Sequence, residues 1–151
     1  MTETADRQEG ECRCGRVRFA VTGTPLLTAA CHCRGCQRLS GGPYSLSVAY
    51  PRAAFEHLCG DIEPAGLHGP SRYAACAFCK SWLWTEPEGM DIVNIRTPTL
   101  INPPTEPPIM ETATDEGFDW AVIGARFSFP GWPEPTAYQP ILNAYAAARQ
   151  S

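Results

Sequence analysis

At 151 residues, with 44% hydrophobic, 10% aromatic and 19% charged side chains, the chain has the make-up of one globular domain rather than of a disordered segment. A formal net charge of -4, from 16 acids against 12 bases, argues against a sequence-independent hold on nucleic acid or on an anionic membrane surface. Residues 1–11 are polar and mixed in charge, and no apolar run approaches the roughly 20 residues of a membrane helix. A soluble, cytoplasmic protein is expected, with neither nucleic acid nor membrane as its partner.

Taken in chain order, residues 1–8 read as a flexible N-terminus. The stretch VRFAV (17–21) alternates and is rich in β-branched and aromatic residues, as is YSLSVAY (44–50), and both are strand candidates. Between them, GCQRL (35–39) could form a turn of helix. SWLWT (81–85), DIVNI (91–95) and AVIGARFSF (121–129) are further strand candidates. The proline-dense run 98–108 should be an extended surface path. A C-terminal extension, 136–151, contains ILNAYAAAR, whose alanines favour helix. Fifteen prolines and 13 glycines punctuate short strands with turns. The expectation is a mainly-β domain over 9–135, with its chemistry at the turns.

Eight cysteines carry that chemistry. In a reducing compartment thiols cluster for metal or catalysis rather than for disulfides. Cys12 and Cys14 make a C-x-C, Cys31, Cys33 and Cys36 a C-x-C-x-x-C, and Cys76 and Cys79 a C-x-x-C; Cys59 stands alone. Zinc takes four soft or borderline ligands in a tetrahedron. The simplest count joins Cys12 and Cys14 to Cys76 and Cys79 in one closed structural site that clips a loop of about sixty residues. In a C-x-C strand, residues i and i+2 point the same way.

Cys31, Cys33 and Cys36 are then left as three ligands, and an open fourth position marks a working zinc. The alternation turns His32 away from that ion. Alternatively, Cys59 or His32 closes the site, and the protein is a non-catalytic binding module with two structural zincs. Spacing favours the open reading. Three thiolates on a divalent ion make a poor hydroxide generator but suit the capture of an incoming thiol as thiolate. Arg34 lies inside this cluster and Arg38 just beyond it, suiting an anionic thiol such as glutathione. Lone His57 and His68 read as exposed or packing residues.

The segments GECRCGRVRFAV, CHCRGCQRLSGGPYSLSVAYPRAAF and RYAACAFCKSWLW resemble the glutathione-dependent formaldehyde-activating enzymes, a group that includes centromere protein V-like proteins. The resemblance covers roughly residues 9–85. It implies a β-tent-like, mainly-β fold with two zinc ions, a structural one at Cys12, Cys14, Cys76 and Cys79 and a catalytic one at Cys31, Cys33 and Cys36; with only three protein ligands, the second is expected to be the more labile. It also implies a carbon–sulfur lyase that condenses glutathione with formaldehyde. Lys80 stands where the family carries a glycine, so the turn after Cys79 is expected to be remodelled. Trp120, Phe127, Phe129 and Trp132 are expected mainly in the core, with pocket lining as their other role.

Overall fold

The computed structural model describes residues 6–66 and 69–150. Residues 1–5, within the N-terminus expected to be flexible, and His68 lie outside this range. The chain is mainly β. Its strands are β1 (Arg7–Glu11), β2 (Arg18–Thr22), β3 (Leu27–Cys31), β4 (Ser45–Pro51), β5 (Phe55–Cys59), β6 (Ile62–Pro64), β7 (Arg72–Cys76), β8 (Trp82–Glu86), β9 (Ile92–Arg96), β10 (Met110–Thr112) and β11 (Phe127–Ser128). Among the described residues two α-helices accompany them, α1 (Arg34–Ser40) and α2 (Tyr138–Arg149). No helix among the described residues is long and apolar enough to cross a membrane.

Two compact units divide the chain, one of residues 1–25 and 49–104, the other of residues 26–48 and 105–151. In the first unit, β1, β2 and β5 form an antiparallel sheet. β1 pairs along its whole length, from Arg7 opposite Thr22 to Glu11 opposite Arg18. Strands β9, β8, β7 and β6 run side by side in that order. Phe19, Phe55 and Trp84 build an aromatic core, with ring centroids 4.7–5.7 Å apart, a spacing at which tilted and edge-on rings attract. Gly10 is required beneath it: a Cβ at that position would lie 2.1 Å from the Phe19 ring.

The second unit orders its strands β11, β10, β3 and β4. Here β10 runs parallel to both β3 and β11, and α2 packs against β3. Leu27, Ala29, Ala30, Met110, Ile141 and Tyr145 are buried in this unit. Among them lie two polar side chains with no exposure at all, His32 and Glu111.

Most of the expected elements form, and two expectations fail. The apolar run 121–129 is largely irregular and contributes only Phe127–Ser128 to a strand. Trp120 and Trp132 are 76% and 63% exposed, so neither is a core residue, while Phe127 and Phe129 are half-buried. The proline-rich run opens with a short 3-10 turn at Thr97–Thr99 and then follows an irregular, mostly exposed path.

Candidate metal and thiol site

Two groups of cysteines could each hold a metal ion, and their membership follows the spacing in the sequence. The first lies wholly in the first unit. Cys12, Cys14, Cys76 and Cys79 bring their sulfurs within 4.8 Å of one another. Cys12 and Cys14 are 3.5 Å apart and Cys14 and Cys76 3.8 Å, close to the about 3.8 Å edge of a tetrahedron with Zn–S bonds of about 2.3 Å. Cys12 and Cys76 are buried, Cys79 is half-buried and Cys14 is exposed.

Turns, not strands, aim these thiols. Cys12 follows the end of β1, and the Gly15 N–H donates to its carbonyl at 3.0 Å, with Gly15 at a φ of 80°. The pair therefore converges by turn geometry rather than by the strand alternation expected of a C-x-C. On the opposite side, the Lys80 N–H donates to the Cys76 carbonyl at 2.9 Å. Sulfur is further supported by backbone donors: Val17 N–H reaches Cys12 at 3.3 Å, while Phe78 and Cys79 N–H both reach Cys76 at 3.4 Å. Such donors favour the thiolate form that a metal requires.

Lys80 itself sits at a φ of 66°. The left-handed conformation that favours glycine is thus adopted by a lysine, at a cost of about 1–2 kcal/mol. Its Nζ pairs with Glu63 at 2.7 Å. The expected remodelling gives way to a closed turn with a strained residue inside it.

In the second unit, Cys31 ends β3, Cys33 caps α1 and Cys36 lies in the first helical turn. Cys33 Sγ accepts the Cys36 N–H at 3.2 Å, the bond a serine or aspartate usually supplies at this position. All three thiols are half-buried and lie within 4.8 Å of one another, and no fourth cysteine, histidine or carboxylate joins the group among the described residues.

Neither residue that could have closed this site does so. Cys59 is exposed in the first unit, with its thiol at the Arg16 carbonyl (3.7 Å). His32 is turned away from the thiols, and its Nε2–H donates to Glu111 at 2.9 Å.

The three thiols are electrostatically unequal in the metal-free chain. A hydrogen bond from Cys36, backed by Thr112, holds Cys31 down at about 5 despite its burial. Donating to that thiolate pushes Cys36 far above the ordinary thiol range, and Ser45 offsets this only in part. Burial, together with the nearby Cys31 charge, also raises the phenol of Tyr138, the first residue of α2.

Arg34 and Arg38 are both exposed, one helical turn apart on α1. The Arg34 guanidinium donates to Gln37 Oε1 at 3.2 Å, and its backbone N–H donates to Glu116. His57 is an exposed strand residue whose Nε2 lies 3.0 Å from the Cys59 carbonyl. Sequence reasoning missed Glu111, Thr112, Ser45, Gln37 and Tyr138, none of which carries a motif. The one pointer was the histidine held between Cys31 and Cys33.

No curated protein matches the chain. Among solved structures, a crystal structure of a Rhodobacter sphaeroides protein, a Northeast Structural Genomics target, is similar with a TM-score of 0.54 at 15% identity, covering 64% of this chain and 91% of that one. At that identity the likeness shows the fold alone. Residues 7–116 match the family described as glutathione-dependent formaldehyde-activating enzyme, a span that contains all seven clustered cysteines. The chain belongs to the glutathione-dependent formaldehyde-activating enzyme family.

Proposed function

We propose that the protein is a zinc-dependent carbon–sulfur lyase acting on adducts of glutathione, or a similar thiol, with formaldehyde or another small aldehyde. One observation carries this reading: three thiols converge in the second unit with no fourth protein ligand among the described residues. The donor set fits zinc, and Cys31, Cys33 and Cys36 would hold it, just as Cys12, Cys14, Cys76 and Cys79 would hold a structural ion. When bound, zinc supplies a positive charge that keeps an incoming thiol deprotonated at neutral pH.

The chain's own residues supply the remainder. The exposed guanidiniums of Arg34 and Arg38 offer fork-shaped donors to the carboxylates of a thiol such as glutathione. Tyr138, whose phenol stays protonated beside Cys31, can hold a proton near the reacting atoms. In the condensing direction the substrate sulfur forms a bond to the aldehyde carbon. The C=O π pair moves to oxygen, and the thiol proton ends on that oxygen as a hydroxyl. The reverse direction breaks the same C–S bond, releasing free aldehyde and thiol.

Cys33→Ser tests the reading. Glutathione–formaldehyde condensation, followed by consumption of free formaldehyde, should fall by at least about a hundredfold, because a three-ligand site loses a third of its donors. The variant should remain folded and keep one metal ion per chain. Retained activity would remove the triad from the chemistry.

A further inference from the structure

His32 is the spacer between two cysteines of the triad, yet it has no exposure at all. Several contacts hold it, among them the Tyr44 ring, edge-on at 5.2 Å. Its backbone N–H donates to the Thr112 carbonyl at 2.9 Å, and its carbonyl accepts Gln37 Nε2 at 2.7 Å. Its Nε2–H donates to Glu111 Oε1 at 2.9 Å. Its ring lies against Gly117, where a Cβ would meet Nδ1 at 2.9 Å.

Glu111 is equally buried and fully engaged. Besides His32, it accepts the Ala125 N–H at 2.8 Å and the Ile123 N–H at 3.3 Å. Burial alone would raise its pKa, but the Ala125 and Ile123 N–H groups, with His32, hold it below the usual carboxylate value. A buried carboxylate is costly unless every lone pair is used, and once satisfied it fixes its partners in one arrangement.

We infer that Glu111 is a positioning residue for the three-cysteine site. Through His32 it locks the backbone between Cys31 and Cys33. Through Ile123 and Ala125 it fastens residues 121–125 to the same turn. A metal site needs its ligands held to about 0.5 Å, and the three thiols all come from six residues of chain, so the conformation of that short turn decides their geometry. The inference rests on the reading of the triad as a metal site. The four-cysteine cluster has no contact of this kind among the described residues and serves as an internal reference.

Glu111→Gln tests it. Glutamine keeps the volume, but its amide NH2 must face one of the N–H donors, so one bond is lost. Cobalt(II) titration of the metal-free protein, read by thiolate-to-metal absorption, should show two steps in the wild type, one per cluster. In the variant, affinity at the three-cysteine step should fall by about ten- to a hundredfold, with the four-cysteine step unchanged. Equal weakening of both steps, or of neither, would overturn the inference.

Should Glu111→Gln fail to fold, His32→Gln, which keeps an N–H donor, should retain more of the three-cysteine step than His32→Leu. Indistinguishable titrations of those two would overturn it as well. A wild type with no second cobalt step would instead bring down the metal reading itself, a result visible before any variant is made.

Discussion

The two cysteine clusters use the same ligand chemistry for different mechanical ends. The four-cysteine cluster draws on turns 62 residues apart, from Cys14 to Cys76. The three-cysteine cluster is drawn entirely from residues 31–36. A cross-link across some sixty residues removes about 4 kcal/mol of unfolded-chain entropy, whereas one across five or so removes about half as much. Metal at the first cluster would therefore tie the chain together more strongly than metal at the second. Ligand count follows the same division, since four thiols would complete a tetrahedron and three would leave one position open.

Serine substitutions break this comparison most severely. Cys76→Ser removes a buried ligand of the long clip, and the metal-loaded protein should lose more than about 10 °C in Tm by calorimetry. Cys33→Ser should lower Tm by less than about 5 °C. Equal losses would mean that both clusters are structural. A smaller effect sharpens the contrast at the substrate side. Arg34→Ala should weaken glutathione binding by about three- to tenfold at low salt, raising KM with kcat unchanged, and the difference should shrink as salt screens the exposed guanidinium. No change at low salt would leave Arg34 as a solvated surface residue.

Cluster membership was legible because metal chelation by cysteine is local chemistry with its own spacing. The strands were legible where side chains alternate, as in β2 and β4, or where β-branched and aromatic residues concentrate, as in β8 and β9. β1, with the sequence RQEGE, has no strand signal of its own. It forms because β2 pairs with all five of its residues and Gly10 can lie on the Phe19 ring. β3, LTAAC, is buried along nearly all its length, so its small residues show no alternation to read.

The reverse error came at 121–129, where an apolar pattern predicted a strand. Ile123 and Ala125 give their N–H groups to the Glu111 carboxylate instead of to a neighbouring strand, and the ladder cannot extend through them. Nothing in the sequence marks Glu111 as buried, because a carboxylate in a short strand reads as a solvent-facing residue until its partners are known. Trp120 failed for a related reason: it stacks on Phe118 at 5.5 Å in an exposed pair rather than entering the core.

The most direct test of the division between clusters is metal content per chain before and after a mild chelator, with glutathione binding followed calorimetrically on each sample. The account predicts two zinc ions, one removed by the chelator, and glutathione binding that disappears with it and returns on adding zinc back. Two equally inert ions with no thiol binding would contradict it, and would make both clusters structural.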